Sequence, residues 1–256
     1  MEKIFKDQVV IISGGMGDIG YATAMRFAVQ GANIAIGDVL EEQSAIVQEK
    51  TKALSSLGVH VHYQQVDVRS SEQVREWLNQ VEQQLSIPQI IICNAAIASL
   101  KSLYQLSPED WENEMQVNLN GSFFLSQMAT ESMLNKNLGG YVVFVNSWAS
   151  TNVHLHMPAY SVSKAALTML CKCMALELAP KNIIVNSIAP GYVDAGLTGK
   201  FWQEKPELKD KARERVPTRT VISAEEVADQ IVYLSHPTNK HITGTTLLMD
   251  GGLSIK

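Results

Sequence analysis

The chain is expected to fold as one α/β domain, a doubly wound parallel sheet with helices on both faces. Three observations point there. Short apolar, β-branched runs alternate with longer amphipathic stretches along the 256 residues. The runs lack the in–out alternation of a half-solvated sheet, as strands buried on both faces should. No Pro-, Gly- or Ser-rich linker, internal repeat or low-complexity segment divides the chain. With 46% hydrophobic and 18% charged residues, it can bury a sizeable single core.

The elements follow in order. Val9–Ile12 reads as the first strand, Ser13 to Gly20 as a glycine-rich turn, and Tyr21 to Ala28 as the start of a helix. Asn33–Ile36 is the second strand and leads to Asp38; Val59–Gln65 is the third and leads to Asp67 and Val68. Gln89–Cys93 runs into Asn94-Ala95-Ala96, Tyr141–Val145 into Ser147, and Ile183–Ile188 into Pro190-Gly191-Tyr192-Val193. Thr245–Met249 closes the set before Asp250-Gly251-Gly252, and helical patterns fill the gaps. Between Pro190 and Ser223 the text turns polar, with several glycines and prolines and a charged run. This segment is either a substrate lid within 191–220 or a solvated helical excursion.

Composition excludes several classes. A net charge of -5 gives no pull toward nucleic acid or an anionic membrane. There is no stretch of 18 apolar residues and no signal-peptide core at the N-terminus, so a soluble, cytoplasmic protein is expected. The three cysteines, Cys93, Cys171 and Cys173, lack metal-site spacing and are expected to be buried free thiols. No metal site is expected.

The loop Ser13-Gly14-Gly15-Met16-Gly17-Asp18-Ile19-Gly20 can be read in two registers. As G-x-G-x-x-G it uses Gly15, Gly17 and Gly20, the dinucleotide fingerprint between a strand and a helix. As T-G-x-x-x-G-x-G it uses Ser13, Gly14 and Gly20, and Asp18 stands where the middle glycine belongs. Either way, bare backbone lets amide groups approach phosphate oxygens at a helix start. Asp18 is expected to cap that helix, pointing away from the ligand.

Tyr160 and Lys164, at i and i+4, share one helical face. Ser147 at a strand end, Asn118 within Met115-Gln-Val-Asn-Leu-Asn-Gly121, and Asn94 with Ala95 accompany them. This ordered set, running from the glycine loop to Ile242-Thr-Gly-Thr-Thr-Leu-Leu-Met-Asp-Gly-Gly252, resembles the short-chain dehydrogenase/reductase family over essentially the full length. The resemblance implies a Rossmann-like fold and an oxidoreductase that interconverts a secondary alcohol and a ketone with a nicotinamide cofactor. It makes Asn118, Ser147, Tyr160 and Lys164 the catalytic tetrad. It places Asn94 and Ala95 on the cofactor cleft, Asp67 and Val68 at the adenine end, and Pro190, Gly191 and Val193 on the loop that holds the carboxamide. Ala195 stands where the family usually has threonine, with Thr198 as a substitute hydroxyl.

The chemistry agrees with that assignment. A developing alkoxide needs a proton donor, Tyr160, and a polarising hydroxyl, Ser147. The Lys164 ammonium is expected to draw the tyrosine pKa down and to bond the nicotinamide ribose, with Asn118 anchoring a proton-relaying water. Asp38 stands where a carboxylate accepts bonds from the adenosine ribose and repels a 2′-phosphate, and neither Val39, Leu40 nor Gly15-Met16-Gly17 offers a cation. NAD is therefore expected over NADP. His154, His156, Met157, Trp148 and Trp202 are either pocket residues or ordinary solvated and packed ones. The segments Trp111–Leu134 and Ala159–Leu178 resemble the family's interface helices, implying a homotetramer or, next, a homodimer. The alternatives are an epimerase or dehydratase using the same cofactor, and an NAD-bound regulator without turnover.

Overall fold

A computed structural model describes residues 3–196, 198–199, 202 and 205–255. The strands are β1 (Val9–Ser13), β2 (Asn33–Asp38), β3 (Val61–Gln65), β4 (Ile90–Cys93), β5 (Gly140–Val145), β6 (Ile183–Pro190) and β7 (Thr246–Met249). They form one seven-stranded sheet in the order β3-β2-β1-β4-β5-β6-β7, and every pairing is parallel. Helices α1 (Asp18–Val29), α2 (Ala45–Ser55), α3 (Ser71–Gln84), α4 (Pro108–Met115), α5 (Ser122–Asn135), α6 (Pro158–Leu178), α7 (Pro206–Arg215) and α8 (Ala224–Leu234) connect them.

Successive strand residues point to opposite faces, and both faces are covered. Val9, Ile11, Val142 and Phe144 pack with Trp77 of α3, Leu125 of α5 and Leu167 of α6. Val10, Ile12, Val143 and Val145 pack with Phe27 of α1, Val47 of α2 and Ile231 of α8. This double cover explains why the central strands are apolar at every position. The edge strands β3 and β7 are only half-buried. The polar tail of Val61-His-Tyr-Gln-Gln is the consequence, and the third strand starts later than its sequence pattern implies.

Because β1 lies between β2 and β4, the direction in which strands are added to the sheet reverses there and a crevice opens at the carboxyl ends of the strands. Further along, the helix joining α4 to α5 widens into a π-helical turn, Gln116–Gly121, which holds Asn118. Helix α7 within the Pro190–Ser223 excursion buries only Ala212, and residues 197, 200, 201, 203 and 204 of that excursion lie outside the described residues. One expectation is corrected: Cys93 and Cys171 are buried, but Cys173 is exposed on the outer side of α6. Among the described residues, no helix is long and apolar enough to cross a membrane.

Candidate active site

The loops leaving β1 to β6 converge on a cleft of about 900 Å³. Of the residues singled out by sequence, Gly14, Gly17, Asp18, Ile19, Asp38, Asp67, Val68, Asn94, Ala95, Ser147, Tyr160, Lys164, Pro190, Gly191 and Val193 line it. Ser13, Gly15, Gly20 and Asn118 stand behind these residues and hold them. The buried Ser13 hydroxyl accepts the backbone N–H of Asn94 (3.1 Å) and of Ala95 (3.2 Å), while Asn94 Nδ2 donates to the carbonyls of Ser13 (3.1 Å) and Gly14 (2.9 Å). The ends of β1 and β4 are thus tied together.

Geometry chooses between the two readings of the glycine loop. Gly14 has φ +64°, and a Cβ there would lie 2.9 Å from the Ala95 Cα. A Cβ on Gly20 would collide with the Gly14 carbonyl oxygen and sit 2.8 Å from the Gly15 Cα. At Gly17 a Cβ would meet nothing nearer than 3.4 Å, an ordinary contact. Glycine is therefore demanded at positions 14 and 20, and at 15, where a Cβ would lie 2.7 Å from Ile36 Cγ2, but not at 17; this fits the register that needs no glycine at 17 and in which Asp18 replaces the middle glycine. The expected role of Asp18 is corrected too. Gly17, in extended conformation, is the N-cap of α1, and Asp18 is the first helical residue. Its carboxylate reaches across the cleft to accept the Gly196 N–H at 2.6 Å, latching the glycine loop to the segment after β6. The bare backbone from Gly14 to Gly17, placed at the N-terminus of α1, fits a dinucleotide's pyrophosphate.

At the adenosine end, Asp38 Oδ2 accepts the Met16 N–H at 2.9 Å. A residue that the sequence did not disclose stands opposite: Lys50, from α2, donates to the Met16 carbonyl at 2.7 Å and lies 4.6 Å above the Tyr21 ring. Val39, Leu40 and Gly15-Met16-Gly17 supply no cation at this end, but α2 folds back over the loop and carries one in from outside those positions. Arg69 is a second cation on the cleft wall; its guanidinium grips both oxygens of Asp67 (2.6 to 3.0 Å) and holds that carboxyl below its usual pKa.

At the centre, Asn118 is fully buried. Its Oδ1 accepts the Ile97 N–H (2.8 Å), and its Nδ2 donates to the Ile97 carbonyl (2.9 Å) and to Ser163 Oγ (3.0 Å). Ser163 in turn donates to the Tyr160 carbonyl at 2.8 Å, so Asn118 fixes both the strand-end loop and the start of α6. Lys164, also buried, donates to the Val145 carbonyl at 2.8 Å, with its Nζ 5.5 Å from the Tyr160 ring centroid.

Burial pushes the Tyr160 phenol above its usual pKa; a hydrogen bond with Ser147 opposes this, and the neighbouring Glu114 carboxylate adds to it. Burial also lowers Lys164 to about 8. The expectation that Lys164 draws the tyrosine down is corrected for the protein alone: burial is the largest influence on the phenol and raises it, and the Lys164 ammonium is itself partly discharged near pH 8. Glu114, one turn before Asn118, is buried, accepts the Ser99 N–H at 2.8 Å and leaves its second oxygen unpartnered.

At the substrate end, Trp148, His154 and Met157 line the cleft, and Tyr192 joins them. Trp202 is buried behind Tyr192, with ring centroids 6.4 Å apart. His156 is exposed and gives only its carbonyl, which accepts the Lys101 N–H at 2.9 Å. Thr198 and Ala195 both line the wall. Among the described residues, no group of three or more His, Cys, Asp and Glu side chains could hold a metal ion.

Comparison with known proteins accords with this geometry. The family model described as enoyl-(acyl carrier protein) reductase matches residues 15–254. The chain is 32% identical over 253 residues to a 3-oxoacyl-(acyl-carrier-protein) reductase of Thermotoga maritima, covering 97% of this chain and 98% of the relative. A solved short-chain type dehydrogenase/reductase from Mycobacterium marinum superimposes with a TM-score of 0.91 at 26% identity, covering 99% of this chain and 98% of that one. A chain from Agrobacterium tumefaciens solved with bound NADP shares the fold at 24% identity, with a TM-score of 0.89 and 99% of each chain covered.

The protein belongs to the short-chain dehydrogenase/reductase family. It is thereby a nicotinamide-dependent oxidoreductase of secondary alcohols and ketones.

Proposed function

We propose that Tyr160 carries the proton in this reaction, Ser147 polarises the substrate oxygen, and Lys164 and Asn118 organise the two. The observation that carries the proposal is the convergence of Ser147, Tyr160 and Lys164 on the lining of one cleft, with Lys164 Nζ 5.5 Å from the Tyr160 ring centroid. The glycine-loop backbone from Gly14 to Gly17 would hold a nicotinamide dinucleotide, which would supply or accept the hydride when bound. The phenol delivers its proton to the developing alkoxide, or in the oxidative direction takes one from the alcohol, and the Ser147 hydroxyl holds that oxygen in reach. Asn118 keeps the start of α6 at the correct height through Ser163.

NAD is the cofactor we assign, because Asp38, at the end of β2, lines the adenosine end of the cleft, where a carboxylate accepts bonds from ribose hydroxyls and repels a 2′-phosphate. The NADP bound by the Agrobacterium tumefaciens protein makes this a question for kinetics. NAD is expected to be favoured by at least about tenfold in kcat/KM, roughly 1.4 kcal/mol, with Asp38→Ala narrowing the gap. Equal use of NADP by the unmodified enzyme would overturn the assignment.

We further assign a homotetramer. Val162, Met169 and Leu176, two helical turns apart, form an exposed apolar stripe on α6, and Trp111, Phe123 and Leu134 add to it on α4 and α5. Light scattering that returns a 28.2 kDa monomer at micromolar concentration would count against assembly. The excursion over 191–220 acts in this reading as a lid, latched at its base by Asp18.

A further inference from the structure

We infer that the substrate is a ketone or secondary alcohol carried on a carbocyclic or aromatic ring, an inference that rests on the oxidoreductase reading. Trp148 directly follows Ser147, and its ring stands 5.8 Å from His154 and 5.7 Å from Tyr192, with His154 to Tyr192 at 6.5 Å, all edge-on. Trp202 and Arg215 pack on Tyr192 from behind, at 6.4 Å and 5.9 Å, so the aromatic wall is held in place before any substrate arrives. Apart from Lys164 at the centre, the charged lining residues Asp18, Asp38, Lys50, Asp67 and Arg69 belong to the nucleotide half; on the substrate side Ile97, Ala98, Ala149 and Met157 line the cleft beside the rings of Trp148, His154 and Tyr192. A polyol or sugar would find only the polar tips of His154, Tyr192 and Thr198 for its many hydroxyls and leave the rest unpaired, whereas a ring stacks on the flat aromatic faces.

The mouth continues the pattern. The loops after β4 and β5 are joined by the Lys101 to His156 hydrogen bond, and beside it they expose Leu103, Val153 and Leu155 at 62%, 90% and 74%. A substituent leaving the ring outward meets apolar surface.

The test is a panel of carbonyl compounds with reduced nicotinamide: a bicyclic ketone, an open-chain ketone of equal carbon count, a keto sugar and an acetoacetyl thioester. The bicyclic ketone is expected to exceed each of the others at least tenfold in kcat/KM. Tyr192→Leu should raise its KM at least fivefold more than that of the open-chain ketone. Leu155→Asp, on the exposed rim, should raise KM for a ring ketone with an alkyl tail and not for the unsubstituted ring. Equal or better use of the open-chain ketone, sugar or thioester overturns the inference. Turnover of none of the four overturns the oxidoreductase reading instead.

A separate observation carries a second inference, resting on the NAD assignment: Lys50 is a specificity-determining residue that opposes Asp38. The two side chains hold the two ends of one residue, Asp38 at the Met16 N–H and Lys50 at its carbonyl, and both line the adenosine end of the cleft. A 2′-phosphate there would meet a repelling carboxylate and an attracting ammonium together. Calorimetry with ADP-ribose and 2′-phospho-ADP-ribose separates their effects without any substrate. Asp38→Ser is expected to tighten binding of the 2′-phosphate ligand at least tenfold, and adding Lys50→Met should abolish that gain. Lys50→Met alone should shift ADP-ribose less than threefold. A gain that survives in the double variant, or an equal loss of both ligands in Lys50→Met, overturns the inference. Failure of the unmodified protein to bind ADP-ribose overturns the cofactor reading.

Discussion

Replacing Lys164 by Met tests whether the ammonium at the heart of the site is held against its own desolvation. Burial takes its pKa from the usual 10.5 to about 8. At about 1.4 kcal/mol for each pH unit between those values, the fold disfavours the charged form by about 3 kcal/mol. Between pH 8 and 10.5 the unfolded chain therefore binds more protons than the native one, and stability from this residue rises with pH. The handicap is complete below pH 8 and relieved by pH 10.5. Integrated from pH 7 to 9, the gain is roughly 1 kcal/mol. Methionine has no proton to lose, so the variant should not show it. The buried thiols of Cys93 and Cys171, whose pKa values burial raises, pull stability the other way above about pH 9, and they do so in both proteins. Urea denaturation at pH 7 and pH 9, without nicotinamide, measures the difference. The wild type should gain about 1 kcal/mol relative to Lys164→Met across that interval, and parallel pH profiles would refute the reasoning.

Gly20→Ala should cost about 2 kcal/mol or more in thermal unfolding and abolish ADP-ribose binding, because the new Cβ meets the Gly14 carbonyl oxygen and the Gly15 Cα rather than a movable side chain. Gly17→Ala, with no contact nearer than 3.4 Å, should cost less than about 1 kcal/mol. Asn118→Ala removes three buried hydrogen bonds and leaves the Ile97 peptide unpaired on both sides; a loss of about 3 kcal/mol in urea denaturation is expected. In native protein a thiol reagent should leave Cys93 and Cys171 unlabelled, and rapid labelling of either would contradict their burial.

The sheet was legible in the sequence because both of its faces are covered. Runs such as Val9–Ile12 and Ile90–Cys93 have no polar side chain that breaks the apolar run, and the ends of β1 to β6 each deliver cleft residues in the expected order. Boundaries blurred at β3, where an edge strand keeps His62 and Gln64 half-exposed and so loses the signal. Within the site, Tyr160 and Lys164 were readable because one helix turn relates them. Partners made by tertiary folding were not. Asp18 meets Gly196, Lys50 meets Met16, and Ser163 links Asn118 to Tyr160, all across separate elements. Asp18 also looked like a cap because it precedes a helix; the cap position had already gone to Gly17, whose extended backbone turns the carboxylate outward. The pKa of Tyr160 escaped for a related reason, since charge proximity can be guessed from spacing but desolvation depends on everything packed around the ring.

The most direct test of the account is single-turnover reduction of a ketone by Tyr160→Phe beside the wild type, with ADP-ribose affinity measured on both. The substitution deletes only the proton-carrying oxygen, and general acid catalysis of this kind contributes about a hundredfold to ten-thousandfold in rate. The account expects kcat to fall by at least about a hundredfold while the ADP-ribose dissociation constant stays within twofold. A phenylalanine variant that turns over at the wild-type rate would show that Tyr160 is not the proton donor.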